Sequence, residues 1–286
     1  MPVVLEQLRY VRLGTRNLRE AVRFATELLG LQPVGTTNGR AYFRSDFRDF
    51  TLLYVEGDSP EQSIAFDVRT SEQLDAAEQE LIAAGFSARR GTEAECEERK
   101  VKAFLAFADA SGNTIEIVWR PMMTGWRYFP SRDTGITGLQ NVALRSTDPA
   151  ADERLWTKIF NGCVSDWVGD GAYIRVDSLH HRVALHPSRR PGLLSITYAV
   201  EGINQIMQSY YHLRDSQTRI VQGPGRDPAS NQIFLTFEGP EGVLFSFGTE
   251  MSSVDGRGPR QFPHAPQSFC SWGTECALPE FGGGQA

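Results

Sequence analysis

The stretch that decides the fold is NQIFLTFEGPEGVLFSFG, residues Asn231 to Gly248. It contains two short apolar runs, 233–237 and 243–247, joined by Gly-Pro-Glu-Gly, a sequence typical of a turn. We therefore predict a pair of strands here. A similar pair, 103–108 and 114–119, is predicted in the first half of the chain, where the sequence ADASGN forms the connection.

The hairpin closes a module that begins with the strand SITYAV (195–200) and continues with the helix INQIMQSYYHLRDS (203–216) and a strand near 220–221. Apolar periodicity and helix caps predict three further modules of the same β-α-β-β-β type. In the first module, Asn17 is the predicted helix N-cap and Glu20 its capping-box partner. The predicted fold class is therefore α+β, built from tandem β-α-β-β-β modules.

The modules recur in pairs at a nearly constant distance along the chain. Tyr10 and Asn141 differ by 131 (141 − 10), and the strands SIAFDV and SITYAV differ by 132 (195 − 63). The stretches SGNTIEI and EGVLFSF differ by 130, counted between their glycines (242 − 112). This offset indicates two homologous halves. We predict an N-terminal domain 1–119, a linker 120–136, a C-terminal domain 137–248 and a tail 249–286 that packs on the body.

Composition excludes several classes of function. The formal net charge is −6, with 29 basic and 35 acidic residues, so a nucleic-acid partner is not expected. The sequence has no apolar stretch long enough to span a membrane. The four cysteines form no CxxC pair, and the first residues lack a signal-peptide pattern. We therefore expect reduced thiols and a cytoplasmic location.

The paired modules and the DASGNTIEI stretch that closes the first half resemble the vicinal oxygen chelate superfamily, whose modules wrap around a cavity. The two-domain length, the stretch HHRVA (180–184) and the order GRD…FEGPEG…FG resemble type I extradiol catechol dioxygenases. That resemblance implies two domains, with the active cavity in the C-terminal one. It also implies Fe(II) held by two histidines and one glutamate, which leaves positions open for catechol and O₂.

The three ligand positions implied by the resemblance fall on Asn141, Ser195 and Ser246. None is a histidine or a carboxylate, and their neutral oxygens do not offset the cost of desolvating a divalent ion. At the corresponding positions of the first half, only Glu116 is a candidate ligand. We therefore predict that the protein has no catalytic metal and no other cofactor.

Other side chains are expected in the same cavity. The resemblance implies that His180 or His181 is a histidine that acts as acid or base, and the sequence leaves open which of the two faces the cavity. It also implies that Asp227 replaces a histidine and Thr236 replaces a tyrosine near the substrate. Together with the residues at the ligand positions, these two form the predicted substrate-binding set.

Three functions are considered. The first is a metal-independent lyase, isomerase or hydrolase that acts on a small aromatic or ring-cleavage metabolite, with His180 and His181 as acid and base. The second is an Fe(II) extradiol dioxygenase of aromatic catabolism, and the third is a non-catalytic protein that binds an aromatic ligand. The expected partner is that ligand, and a homo-oligomer stays open.

Within the first function, Ser195 or Ser246 beside a histidine could be a nucleophile. Alternatively, the two serines and Asn141 could hold an oxyanion or enolate. In the structural alternative, these residues simply fill a vacated site and the serines bond to the local backbone.

Overall fold

The computed structural model of the protein describes residues 3–57, 61–254, 256–274 and 276–283. Within these residues the strands form two mixed sheets. The strands of the first sheet are β1 (Gln7–Thr15), β2 (Gln32–Thr37), β3 (Arg40–Arg44), β4 (Leu52–Glu56), β5 (Gln62–Val68), β6 (Ala88–Arg90), β7 (Val101–Ala108) and β8 (Thr114–Pro121). The strands of the second sheet are β9 (Ile136–Ser146), β10 (Cys163–Val168), β11 (Gly171–Arg175), β12 (Val183–Pro187), β13 (Gly192–Val200), β14 (Ile220–Arg226), β15 (Ile233–Glu238), β16 (Leu244–Thr249) and β17 (Arg260–Phe262).

Helices connect the strands at corresponding places in the two halves. The helices are α1 (Leu18–Arg23), α2 (Ser71–Ala83), α3 (Glu93–Arg99), α4 (Pro149–Arg154), α5 (Ile203–Asp215) and α6 (Pro266–Phe269). A π-helical turn continues α1 over Phe24–Leu28, and another continues α4 over Leu155–Ile159. Short 3₁₀ turns lie at Pro240–Gly242 and Pro279–Phe281.

The two sheets have the same order of equivalent strands. The first runs β2-β3-β4-β1-β5-β8-β7-β6, and the second runs β10-β11-β12-β9-β13-β16-β15-β14 with β17 added beside β10. In each sheet the first strands of the two modules pair antiparallel, β1 with β5 and β9 with β13. The predicted α+β fold of tandem modules is therefore confirmed, together with its duplication.

Local sequence signals explain where most helices begin. The Asn17 side chain accepts the backbone N–H of Glu20 and donates to the Glu20 carboxylate at 3.1 Å, as the capping pattern predicts. Helix α3 was not predicted, although Thr92 and Glu95 form a complete capping box at its start. Strand β8 extends to Pro121, so the connection between the sheets is shorter than the predicted linker. The domain bounds themselves stay a prediction.

A central apolar core spans both halves because each half packs a helical segment against the other half's sheet. Phe24, which follows α1, lies with its ring centroid 4.9 Å from that of Phe245 in β16. Trp156, which follows α4, lies 5.3 Å from Phe66 in β5. The opposite faces of the two sheets carry separate, smaller apolar clusters. The shared core therefore fixes the two sheets relative to each other.

The segment after β16 lies against the second sheet. Strand β17 pairs with β10 in parallel, and Phe269 and Cys270 are buried. Trp272 of the same segment is 45% exposed, so it contributes little to that packing. No helix in the described part of the chain is long and apolar enough to cross a membrane.

The shared core generates a stability prediction at Trp156, whose side chain is fully buried. Replacing it by alanine removes a large apolar side chain and leaves a cavity, which costs about 3–5 kcal/mol of unfolding free energy. Chemical denaturation measures this loss. Trp126→Ala is the matched control, because Trp126 is 82% exposed and its loss should change stability by less than about 0.5 kcal/mol. Equal effects of the two substitutions would contradict the shared core.

Candidate functional site

Alternation along the central strands of the second sheet divides their side chains between the core and a cavity. On β9, Val142 and Leu144 belong to the central core. Asn141 and Ala143 lie on the opposite face and line the cavity. In the ladder, Asn141 is paired with Thr197 of β13, and Thr197 is paired with Ser246 of β16. The register thus gathers polar groups from three adjacent strands.

This cavity has a volume of about 70 Å³. Its lining residues come from seven strands, the loops beside them and the tail: Asn141, Ala143, Tyr173, His181, Ala184, His186, Ser195, Thr197, Gln222, Asp227, Gln232, Phe234, Thr236, Ser246, Phe269 and Phe281. None of these described residues is a lysine or an arginine. The volume equals the share of about two water molecules in the liquid, so an aromatic ligand requires part of the wall to move.

The hydroxyl of Ser246 is bonded within the sheet. Its Oγ donates to the backbone carbonyl of Leu235 at 3.1 Å and lies 3.0 Å from the hydroxyl of Thr236. Because the Ser246 hydrogen is used by the carbonyl, the Thr236 hydroxyl donates to Ser246. Ser246 is therefore bonded as in the structural alternative, and not as a serine activated by a histidine.

The side-chain amide of Asn141, unlike the Ser246 hydroxyl, has a donor without a hydrogen-bond partner in the described structure. It is only 3% exposed, yet its Nδ2 has no hydrogen-bond partner among the described residues. A buried amide donor without a partner costs about 1–3 kcal/mol. A ligand oxygen in the cavity would remove that cost, so Asn141 is the cavity's most evident free donor.

His181 is the histidine that lines the cavity, whereas His180 lies behind it. The His181 ring stacks on Tyr173 with centroids 4.7 Å apart, and its Nδ1 lies 3.0 Å from Nδ1 of His180. The other nitrogen of His180, Nε2, lies 2.7 Å from the carboxylate of Asp166. The structure therefore distinguishes the two predicted histidines: His181 can touch a ligand, and His180 can act only through His181.

Asp227 lies in the wall of the same cavity. Its carboxylate accepts the backbone N–H of Ala229 at 2.9 Å and the hydroxyl of Ser230 at 2.5 Å. Burial nevertheless raises its pKa to about 6, because desolvation disfavours the charged form. Burial also lowers the pKa of His181 well below its ordinary value. The pKa of His186 is lowered to about 4 as well, so the described residues of the wall include no positive side chain at neutral pH.

The tail closes one side of the cavity around His186. The ring of His186 lies 5.2 Å from Phe281 and 5.7 Å from Phe269, measured between centroids. Its Nδ1 donates to the backbone carbonyl of Glu280 at 3.1 Å, and the Glu280 carboxylate accepts from Arg145 at 2.9 Å. Arg145 and Glu280 are both largely buried. This ion pair and hydrogen bond hold Phe281 against the cavity.

In the first sheet, the point equivalent to Asn141, Ser195 and Ser246 is occupied by Tyr10, Ser63 and Glu116, which lie beside Arg99. Glu116 accepts both the Nη2 and the Nε of Arg99, at 2.8 and 2.9 Å. It also accepts the hydroxyl of Tyr10 at 2.5 Å and that of Ser63 at 3.0 Å. The carboxylate and guanidinium thus satisfy each other. Of the two equivalent points, only the one in the second sheet has a free donor in the described structure, at Asn141.

Known proteins resemble both the sequence and the fold. Residues 7–117 match the family "Glyoxalase/Bleomycin resistance protein/Dioxygenase superfamily". An iron-dependent extradiol dioxygenase from Rhodococcus jostii is 23% identical over 88% of this chain and 91% of its own. A 1,2-dihydroxynaphthalene dioxygenase from a Pseudomonas species is 25% identical over 73% of this chain and 72% of its own. The crystal structure of a halotolerant catechol dioxygenase superposes with a TM-score of 0.87 at 20% identity, covering 97% of both chains.

The family match covers residues 7–117, and the similarity to the solved dioxygenase extends the shared fold over both halves of the chain. Two mixed sheets built from paired modules form that fold. One fold can carry different chemistry, so the function of this chain depends on its own cavity.

All five sequence-predicted substrate-binding residues line this cavity, and their binding role stays a prediction: Asn141, Ser195, Asp227, Thr236 and Ser246. Sequence reasoning missed His186, Thr197 and Tyr173. The first two were detectable by alternation, because His186 and Ala184 share a face of β12 and Thr197 and Ser195 share a face of β13. No sequence pattern marks Asp166 as the partner of His180.

The burial of His186 generates a pH prediction. Burial lowers its pKa to about 4, against about 6.5 in an unfolded chain. Between these values the unfolded state binds a proton that the folded state does not. Stability should therefore fall as the pH drops from about 6.5 to about 4, by up to about 3 kcal/mol for this group. The free energy of unfolding, measured with urea across this pH range, should depend less on pH for His186→Gln than for the wild type. Identical pH dependence of the two proteins would refute this prediction.

The tail generates a second prediction. Phe281→Ala should enlarge the cavity and raise the affinity for a catechol-sized ligand by about tenfold, a change of about 1.4 kcal/mol, because less of the wall must move. Calorimetric titration with catechol measures this. Trp272→Ala is the control from the same tail, since Trp272 does not line the cavity. A gain for both variants would indicate general loosening of the tail.

Proposed function

We propose that this protein binds a small, uncharged aromatic compound with neighbouring hydroxyl groups, or its ring-cleavage product, in the cavity of the second sheet. The observation that carries this proposal is the composition of the wall. Neutral donors and acceptors stand beside the aromatic rings of Tyr173, Phe234, Phe269 and Phe281, and no described lysine or arginine lines the wall. Pockets of this kind enclose apolar ligands and orient them through a few polar contacts.

The relatives support this class of ligand and favour one reaction on it. The Pseudomonas relative is a 1,2-dihydroxynaphthalene dioxygenase and the structural neighbour is a catechol dioxygenase, so each is named for an aromatic diol. By similarity alone, extradiol ring cleavage is therefore favoured over the metal-independent lyase, isomerase or hydrolase. None of the three relatives described above supports a metal-independent reaction.

The iron that such a reaction implies does not fit the residues at this point of the cavity. Asn141, Ser195 and Ser246 occupy the positions expected for the ligands, and they offer neutral oxygens, whereas Fe(II) is typically held by imidazole and carboxylate groups. The Ser246 hydroxyl is already bonded to a backbone carbonyl. Within the described ranges, no three His, Cys, Asp or Glu residues are grouped to hold a metal ion. We therefore derive no step through iron.

This donor set favours a second candidate function, in which the protein binds or converts the aromatic compound without a metal held by its side chains. His181 is then one residue able to accept a hydrogen bond or proton from the ligand, and Asn141 is a donor to a ligand oxygen. The two candidates share the ligand and the cavity. They differ in whether iron is required.

The deciding experiment measures iron content, binding and turnover on the same preparation. Protein produced in iron-rich medium and purified without oxygen is analysed for metal by mass spectrometry. It is then titrated with catechol, 2,3-dihydroxybiphenyl, 1,2-dihydroxynaphthalene and their ring-cleavage products, with oxygen uptake recorded. From the donor set we expect binding of at least one of these compounds and much less than one iron per chain.

A matched variant carries Asn141→His, Ser195→His and Ser246→Glu, which supplies two imidazoles and one carboxylate at the three positions. This variant should retain iron where the wild type does not. Stoichiometric iron with oxygen uptake in the wild type would establish the dioxygenase and rule out the metal-free candidate. Failure to bind any diol or cleavage product, with the fold intact by circular dichroism, would rule out the proposed ligand class.

A further inference from the structure

A chain of three buried groups leads from the tail to the cavity: Asp166, His180 and His181. Asp166 and His180 are fully buried, and His181 is 5% exposed. Asp166 Oδ2 and His180 Nε2 are 2.7 Å apart, and the Nδ1 atoms of His180 and His181 are 3.0 Å apart. Both contacts have hydrogen-bond length. Each contact therefore needs one donor and one acceptor, and this requirement fixes the protons along the chain.

The first proton is fixed by Asp166. Its carboxylate accepts from Arg257 at 2.9 Å and from Arg260 at 2.7 Å, and also from the backbone N–H of Arg260 at 2.7 Å. Hydrogen bonds from the two guanidinium groups and His180 hold the pKa of Asp166 well below its usual range despite burial. An ionised carboxylate can only accept hydrogen bonds. His180 Nε2 therefore carries a hydrogen and donates it to Asp166.

The second proton follows from the first. Burial lowers the pKa of His180 and that of His181, so both imidazoles are neutral at neutral pH. A neutral imidazole has one protonated nitrogen and one bare nitrogen. Since His180 Nε2 is protonated, its Nδ1 is bare and must accept. His181 Nδ1 is then the donor, and His181 Nε2 is left bare.

We propose that Asp166 and His180 are positioning residues that hold His181 in its Nδ1–H tautomer, so that Nε2 accepts a hydrogen bond from a ligand hydroxyl in the cavity. Stacking on Tyr173, 4.7 Å away with planes 16° apart, fixes the ring in this orientation. An aspartate sets the tautomer of a catalytic histidine by the same principle in serine proteases. The ligand class rests on the proposed function, whereas the tautomer rests only on the geometry.

The cavity then selects for a free hydroxyl group. His186 reaches the same tautomer independently, because its Nδ1–H donates to the carbonyl of Glu280 and its pKa of about 4 keeps it neutral. Two imidazoles of the wall thus offer bare nitrogens, and Asn141 offers an unpaired N–H. A phenolic hydroxyl can donate to an imidazole and accept from the amide at the same time. An ether or a halide can only accept.

The tautomer can be tested without a ligand. Long-range proton–nitrogen correlation spectra distinguish protonated from bare imidazole nitrogens, and signals missing from His181→Phe identify those of His181. We expect a protonated Nδ1 and a bare Nε2 for His181 in the wild type. In Asp166→Asn, the new side-chain amide can donate a hydrogen bond to His180 Nε2 as well as accept one from it. The Nδ1–H tautomer of His181 should therefore no longer dominate. Arg260→Gln removes one ion pair but keeps the carboxylate and should leave the tautomer unchanged.

A bare Nδ1 on His181 in the folded wild type would overturn the inference. This test uses the wild-type protein, so it does not depend on whether the Asp166 and Arg260 variants fold. A change in Arg260→Gln equal to that in Asp166→Asn would assign Asp166 a role in anchoring the tail only.

Hydroxyl selection is tested by titrating catechol against 1,2-difluorobenzene, which has a similar outline and no donor. Wild type should prefer catechol by about tenfold or more, because the analogue leaves buried acceptors unpaired. His181→Phe should lose most of that preference. Equal affinity for the two compounds in the wild type would overturn the selection. If neither compound binds while the predicted tautomer is found, the ligand class fails and the positioning role stands.

Discussion

The structure depends on the constraint that the central strands of each sheet, such as β5 and β9, are buried on both faces. The two-residue alternation of a strand must then supply the central core on one side and a cavity on the other. On β9, Val142 and Leu144 serve the core while Asn141 and Ala143 serve the cavity. A shift of one residue in register would exchange the two sets and bury Asn141 in the core. The core therefore determines which residues can act as the site.

The same constraint acts in both halves, yet the two equivalent points have opposite character. In the first half, Glu116 and Arg99 form a buried, bidentate pair that two hydroxyl groups complete. Such a pair is costly to break, because the remaining charge would be buried without a partner. In the second half, Asn141 has an unpaired donor in a small cavity. The two halves thus share a scaffold, and within the described residues the buried polar groups are paired at the first point, whereas the amide of Asn141 lacks a partner at the second.

Much of the fold could be predicted from sequence because its signals are local or repeated. The cap at Asn17 and the strand alternation are local, and the offset between Tyr10 and Asn141 is a repeat. The site was less predictable because its contacts join distant segments. Asp166 is 14 residues from His180 and more than 90 from Arg257 and Arg260. Packing and electrostatics, which no local pattern encodes, decide those pairings.

The tail connects the closure of the cavity with its chemistry. Arg257 and Arg260 bind the carboxylate that orients His180, while Phe281 closes the wall beside His186. Both contacts belong to the segment that follows β16. The two contacts are anchored separately: Arg257 and Arg260 by Asp166, and the turn that carries Phe281 by the contacts of Glu280 with Arg145 and His186. One segment thus contributes both to the wall of the cavity and to the hydrogen-bond network that orients His180.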